Sequence, residues 1–566
     1  MIDCHFHVWT ADNSTPEKRA ERAEMVREEA EAMGVDRIAL IGEVGTTLEE
    51  CREANRTVAA YVEEYPDLFY GWARVDPRLG EDAVAEFRRA VQEDGLVGLK
   101  HHFYDGTPVN ISDPVFFPLA EAAVEMDVPI IAHVMQRLEE DKEHWDDSEA
   151  YTEDVLELAR RYPDLKLISA HILAGGDPEY RIKNVRDQEN VYLDVSGSVT
   201  GTGVAEMAAA ELGVDRLVFG TDTWFVPGVG KLEGCDLSPG EKATVAYNFE
   251  ELLSENVPNR LDPDELDARR EAARERFASV GDGRQNVTIV DANAFLGRWP
   301  FRKLEYHADD LLGLMDEKGV DRALVSSMGA VLYRNVQHGN RELRAAVEGH
   351  EDRLLPVATI NPSYPGWEDD LAECLDEFDM RAVKLLPAYH DYDPNHPAAK
   401  DLLERCADRN VPVILGATLE DHRGRHPRFS LRGFGEGDSK YWTDDQVAAL
   451  IDLLEDCPET DVILADCWEN ASRIHEAVCE VRRNGVRLDN RVRDGETLFV
   501  LDDLNMYFTY LGEEIVEDLG VDHLAFGPKL PFRIFESTYN YVEGLSVDDS
   551  AEERVRSGNV LDLLGS

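Results

Sequence analysis

The sequence predicts an α/β chain built from two tandem (β/α)8 barrels, and three observations lead there. Its 566 residues exceed one compact core and divide naturally into two domains of about 250–280 residues. Short apolar runs alternate with amphipathic helical stretches along the chain. The chain is also written twice. GVDRIALIG (34–42) returns as GVDRALVSS (319–327), and NRTVAAYVEEYPDLFYGWARVDP (55–77) as NRELRAAVEGHEDRLLPVATINP (340–362). DVPIIAHV (127–134) returns as NVPVILGA (410–417), GVDRLVFGTD (213–222) as GVDHLAFGPK (520–529), and YNFEELL (247–253) as GNVLDLL (558–564).

The elements follow in order. MIDCHFH opens the chain as a first strand. IALIG, YGWARV, GLVGLK, VPIIAHV, LKLISAHI, VYLDVSG and RLVFGTD then read as strands buried on both faces, the mark of a parallel sheet. PVFFPLAEAAVEM and TEDVLELARRY are helices between them. Repeated β–α units over this length suit a closed barrel, with an open doubly wound sheet as the alternative. The chain has no GxGxxG after its first strand, and no GxxxxGK[ST] or GxSxG, so nucleotide-binding and serine-hydrolase sites are not indicated. The first barrel is expected over 1–255, a charged helical connector (DPDELDARREAARERFASV) within 256–285, and the second barrel over 286–566.

Composition limits the partners. Asp and Glu number 115 against 58 Lys and Arg, a formal net charge of −57. The acids are spread along helices, and concentrated salt would screen their repulsion, so the composition reads as halophilic. Such a surface excludes general binding to nucleic acid or to anionic membranes. No apolar run is long enough to span a bilayer, and the N-terminus shows no basic leader or cleavage site, so a cytoplasmic location is expected. The eight cysteines form no CxxC pair and give no zinc-ribbon or redox pattern.

The chemistry gathers at strand ends. His5 and His7 are two apart on the first strand, and residues two apart point the same way. A lone HxH is as well explained by packed histidines. However, His133 ends VPIIAH, His171 ends LKLISAH, and Asp222 ends RLVFGTD. Polar groups that close apolar strands at a barrel mouth point to a site. Imidazoles with a carboxylate suit a divalent ion, Zn2+ first and Mn2+ or Fe2+ as alternatives.

With these residues in place, the first repeat resembles the amidohydrolase superfamily. More narrowly it resembles the amidohydrolase-related branch that includes aminocarboxymuconate-semialdehyde decarboxylase-like enzymes, whose barrels are TIM-like and of the metal-dependent hydrolase type. The resemblance implies that His5, His7, His133 and Asp222 hold one metal ion and that His171 and Asp222 act catalytically. Lys100 in GLKHH stands where some members carry a bridging carboxylated lysine that holds a second ion; a structural salt bridge is the alternative. His102 takes the place of a common K-x-H histidine, and His101 has no assigned role. Trp9 and Trp224, each two residues past a ligand, serve either as pocket walls or as packing. The implied activity is hydrolysis of a small carboxylated amide or lactone by metal-activated water. The alternatives are non-oxidative decarboxylation of an aromatic or enoic acid and, in another class, a non-catalytic binding or scaffold protein.

The second repeat replaces every one of these groups. His5 becomes Asn293, His7 becomes Phe295, His133 becomes Gly416, His171 becomes Asp466 and Asp222 becomes Lys529. A lysine in place of a carboxylate repels a divalent cation, so this copy is expected to hold no catalytic metal and to pair Lys529 with Asp466. Lys384, His390, Arg302 and Trp299 remain as pocket candidates there. A role as pseudo-dimer partner to the first barrel is favoured, and homo-oligomers are also expected.

Overall fold

The computed structural model describes every residue except 9–14, 44, 103–108, 136–149, 175, 421–441, 468–469, 480, 484–485, 489–494, 503–511 and 566. The chain forms two compact units, Met1–Val280 and Gly281–Ser566. Trp9 lies outside the described residues.

The first unit contains β1 (Ile2–His7), β2 (Arg37–Ile41), β3 (Phe69–Ala73), β4 (Gly98–His101), β5 (Ile130–Ala132), β6 (Leu167–Ser169), β7 (Val191–Asp194) and β8 (Leu217–Val218). They form one parallel sheet in chain order. Backbone hydrogen bonds from Cys4 N to Phe219 O (2.9 Å) and from Asp222 N to His5 O (2.8 Å) tie the last strand to the first and close the barrel. Strand residues are buried almost throughout, as the continuous apolar runs require. Helices start where the chain supplies caps. Thr47 and Glu50 form a capping box for Leu48–Glu64, and Ser238 and Glu241 form one for Pro239–Leu252. The charged helix Pro263–Ala278, capped by Asp262, packs on Pro239–Leu252 and belongs to the first unit.

The second unit repeats the plan with β9 (Val290–Trp299), β10 (Leu304–Tyr306), β11 (Arg322–Ser327), β12 (Leu354–Thr359), β13 (Ala382–Leu385), β14 (Val413–Leu415), β15 (Val462–Leu464), β16 (Val481–Arg483), β17 (Val486–Leu488), β18 (Thr497–Leu501) and β19 (Leu524–Phe526). Strands β9, β11–β15, β18 and β19 run parallel in that order. β10 folds back antiparallel on the end of β9, and β16–β17 form a separate two-stranded ribbon. Closure again comes from a backbone bond, Phe295 N to Leu530 O at 2.8 Å.

The duplication reaches into small irregularities. The pairing of β1 with β2 slips between Asp3 and Phe6, and β9 with β11 slips between the matching Asp291 and Ala294. Asn248 donates to the carbonyls of Val214 and Leu217, while the matching Asn559 donates to those of Val521 and Leu524, all within 2.8 Å. Among the described residues no helix is long and apolar enough to cross a membrane.

Candidate metal centre

The site is built at the C-terminal ends of the first barrel's strands. Asp3 prepares β1 for it. Its carboxylate accepts the amides of His5 (2.9 Å) and Thr221 (3.1 Å) and the Thr221 hydroxyl (2.5 Å), joining the first strand to the chain beyond the eighth. His5 and His7 then project to one place, with their Nε2 atoms 3.2 Å apart. Asp222 Oδ1 lies 3.5 Å from His5 Nε2 and 3.6 Å from His7 Nε2. Donors bound to one ion at about 2.0–2.2 Å stand roughly 3.0–3.5 Å from each other, so this triangle fits a single divalent cation. Its mixture of imidazole nitrogen and carboxylate oxygen is a donor set that zinc and neighbouring transition metals accept.

The surrounding groups orient the donors. His5 is fully buried, and its Nδ1 lies 2.7 Å from Asp194 Oδ2, which leaves Nε2 to face the cluster. Ser196 donates to the same Asp194 oxygen (2.6 Å) and lies 3.0 Å from His171 Nδ1. Burial alone pushes the Asp194 carboxyl up, but hydrogen bonds from His5 and Ser196 prevail and hold it below the ordinary carboxylate range. His171 Nδ1 is also 3.4 Å from Asp222 Oδ2, the carboxylate oxygen on the far side from the triangle. His133 stands beside His171, ring centroids 4.6 Å apart and edge-on, and stacks on His102 at 4.0 Å. Burial first, and nearby cationic groups second, keep His7, His133 and His171 well below the usual imidazole range. These histidines are therefore neutral, the form that binds metal.

Lys100 reaches the cluster too. It is buried, and its Nζ lies 2.8 Å from His5 Nε2. Burial lowers it to about 7. His101 turns away, with Nε2 2.9 Å from Val109 O and its ring against Phe116. Trp224 is half-buried and precedes the helix Phe225–Gly234.

Asp194, Ser196 and Arg181 were not read from the sequence as site residues. Arg181 lies beneath the mouth and donates to the carbonyls of His171 (2.7 Å), Ala170 (2.6 Å) and Val134 (3.2 Å) and to Ser169 Oγ (2.8 Å), fixing the ends of β5 and β6. Asp194 carried a usable signal, because an acid closing the apolar run VYLD is the same anomaly that marked His133 and His171. Ser196 and Arg181 carried none, since a serine in a loop and an arginine on a helix are commonplace.

The corresponding face of the second unit is filled by an internal cation. Lys529 Nζ lies 2.5 Å from Asp466 Oδ1, 3.6 Å from Asp502 Oδ2 and 3.3 Å from Thr418 O, all of it buried. The expected pairing of Lys529 with Asp466 is present. Lys384 donates to Asn293 Oδ1 at 2.6 Å, the counterpart of Lys100 beside His5. Phe295 lies under the Lys384 ammonium, 4.1 Å from ring centroid to Nζ. Arg302 and Trp299 both bind the Glu420 carboxylate, at 2.7 and 2.5 Å. His390 is fully buried with Nε2 3.1 Å from Ala330 O.

Comparison with known proteins agrees with this architecture. The family described as Amidohydrolase matches residues 2–268 and again 282–527. A γ-resorcylate decarboxylase of Polaromonas sp. (strain JS666) is 27% identical over 214 residues, a stretch that spans 31% of this chain and 65% of that protein's length. Among solved structures, a 2,6-dihydroxybenzoate decarboxylase from Rhizobium is 18% identical, with a TM-score of 0.35, 44% of this chain covered and 97% of the other. A dihydroxybenzoic acid decarboxylase from Polaromonas sp. JS666, with bound manganese and 2-nitroresorcinol, is 21% identical, with a TM-score of 0.34, 44% and 95% covered. Matched in both of its halves, this chain belongs to the amidohydrolase family of metal-dependent enzymes and carries that family's domain as a tandem duplication.

Proposed function

We propose that the first barrel is a divalent-metal-dependent, non-oxidative decarboxylase of a small aromatic or enoic acid. The 27% identity to a γ-resorcylate decarboxylase is the observation that favours this chemistry over hydrolysis. His5, His7 and Asp222 would hold the ion, with His133 beside them. A bound divalent cation supplies the charge that anchors an oxygen-bearing substrate and stabilises electron density building up next to it.

The protein's own groups account for the proton. Decarboxylation adds one proton to the carbon that bears the carboxylate; the C–C bond then breaks, its electron pair returns to the substrate, and CO2 leaves. Asp222 is placed to deliver that proton through Oδ2, the oxygen it does not turn toward His5 and His7. His171, 3.4 Å from Asp222 Oδ2, can exchange a proton with it, and Ser196 links His171 to Asp194. Lys100 donates to His5 Nε2, the atom that would hold the ion, so the lysine and a cation would compete for that lone pair. Lys100, His102, Trp9 and Trp224 are the proposed substrate contacts.

Hydrolysis of an amide or lactone is the second reading, since the same groups can hold and deprotonate water. The test is turnover by the full chain in concentrated KCl, stripped of metal and reloaded with Zn2+ or Mn2+. Its substrates are 2,6-dihydroxybenzoate, other aromatic and enoic acids, lactones and amides. Metal-dependent CO2 release that falls at least about 100-fold in His171→Asn supports the proposal. Opening of a lactone or amide with no CO2 from any acid overturns it, and no turnover in either arm favours the scaffold reading.

A further inference from the structure

We propose that the second unit binds a zinc-type divalent cation through His475, Cys479 and His523, at the end of the barrel opposite its mouth. One donor atom from each of these side chains lies within 4.8 Å of the other two, and all three residues are buried. His475 and Cys479 are one helical turn apart at the end of the helix Ala471–Val478, the Cys479 amide bonding His475 O at 2.8 Å, so both project from one face. His523 comes from the short turn before β19. Its Nδ1 lies 2.9 Å from Thr497 O; the carbonyl holds that nitrogen protonated and leaves the lone pair on Nε2. The two imidazoles meet edge-on with centroids 4.8 Å apart.

Comparison of the two copies gives the cluster its meaning. His523 replaces Arg216 in the repeated GVDRL/GVDHL segment. In the first unit Arg216 clamps a corner by direct hydrogen bonds. It donates to Val191 O on β7 (2.9 Å) and to Val185 O and Arg186 O at the end of the helix Pro178–Val185 (2.8 Å each). The registers of β6 with β7 and of β15 with β18 place Thr497 where Val191 stands, so His523 keeps the strand contact. It lacks a guanidinium to reach the helix, and the helix instead offers an imidazole and a thiol. A shared cation would restore the tie between helix and sheet. Two imidazoles and a thiolate are a borderline-soft set that suits zinc. This corner lies at the N-terminal ends of the strands, where barrels place stability and not catalysis, so the ion is structural.

Cobalt substitution tests the proposal on the full chain in concentrated KCl. A Co2+–thiolate site produces a near-ultraviolet charge-transfer band, and among the described residues of the first unit no three-donor group contains a cysteine. The band is expected in wild type and in His5→Ala/Asp222→Ala, which removes the first site, and absent in Cys479→Ser. Bound Zn2+ should be about two equivalents per chain in wild type and about one in either variant. Cys479→Ser should retain turnover at the first barrel but unfold its second unit at lower temperature. If a Cys479 variant fails to fold, wild type still decides. Saturated with Co2+ and showing no thiolate band, or binding no ion after His5→Ala/Asp222→Ala, the chain would overturn the assignment.

Discussion

Asp194 and Lys529 show how single residues set the character of each copy. Asp194 holds His5 through Nδ1, so Asp194→Asn keeps the shape but weakens the acceptor. Metal affinity, measured by chelator competition, is expected to fall about 10–100-fold while the circular dichroism spectrum stays unchanged. Lys529 lies between two buried acids, closer to Asp466. Lys529→Met should therefore cost about 3–5 kcal/mol in denaturant unfolding of the second unit, and Lys529→Met/Asp466→Asn should recover part of the loss. An unchanged midpoint in the single variant would refute the buried pair. The backbone at two of these strand ends is the same in both copies although the side chains differ. His171 and Asp222 have φ of 65° and 58°, and the replacements Asp466 and Lys529 have 59° and 61°. Left-handed backbone at non-glycine residues is costly, of order 1–3 kcal/mol, yet both copies keep it with different side chains. The sequence revealed the substitutions, but not this conformation, because nothing in Asp or Lys at a strand end announces a positive φ.

Strands and their junctions explain why the site residues converge. Register determines which side chains face the mouth, and it is the same in both copies, while the acid it carries is not at the same position. Ser169 pairs with Leu193 and Leu464 with Phe499, so Asp502 stands where Ser196 stands, and the acid has moved two residues along the strand. Two residues preserve the facing, so Asp502 still reaches Asn293 (3.4 Å) and Lys529 (3.6 Å). Alignment by eye could not locate that acid, since only pairing with neighbouring strands specifies its position. Close packing between strands imposes a further demand at Gly98. A Cβ there would lie 2.2 Å from Pro129 O and 2.7 Å from the Trp72 ring. Gly98→Ala is expected to destabilise the first unit by about 3 kcal/mol. A thermal midpoint equal to wild type would contradict the tight β3–β4–β5 contact.

The whole molecule is governed by its charge. With 115 acids against 58 bases, repulsion is strong wherever salt does not screen it. The Debye length grows from about 3 Å at 1 M to about 10 Å at 0.1 M, so dilution from molar KCl should lower the unfolding temperature steadily. A midpoint that rises or stays constant on dilution would remove the halophilic reading. In the second barrel Lys384 and Lys529 are both buried, Lys384 donating to Asn293 and Lys529 paired with Asp466.

Sequence by itself determined the two-barrel plan, the duplication and the convergence of His5, His7, His133, His171 and Asp222 at strand ends, because period, repeat and misplaced polarity are properties of residue order. Only the tertiary structure decided which donors share a point, that Asp194 orients His5, that Lys529 stands as an internal cation between two acids, and that His475, Cys479 and His523 meet. Those depend on contacts between residues up to hundreds of positions apart. Distance between side chains is set by strand register and helix packing, which no local pattern encodes.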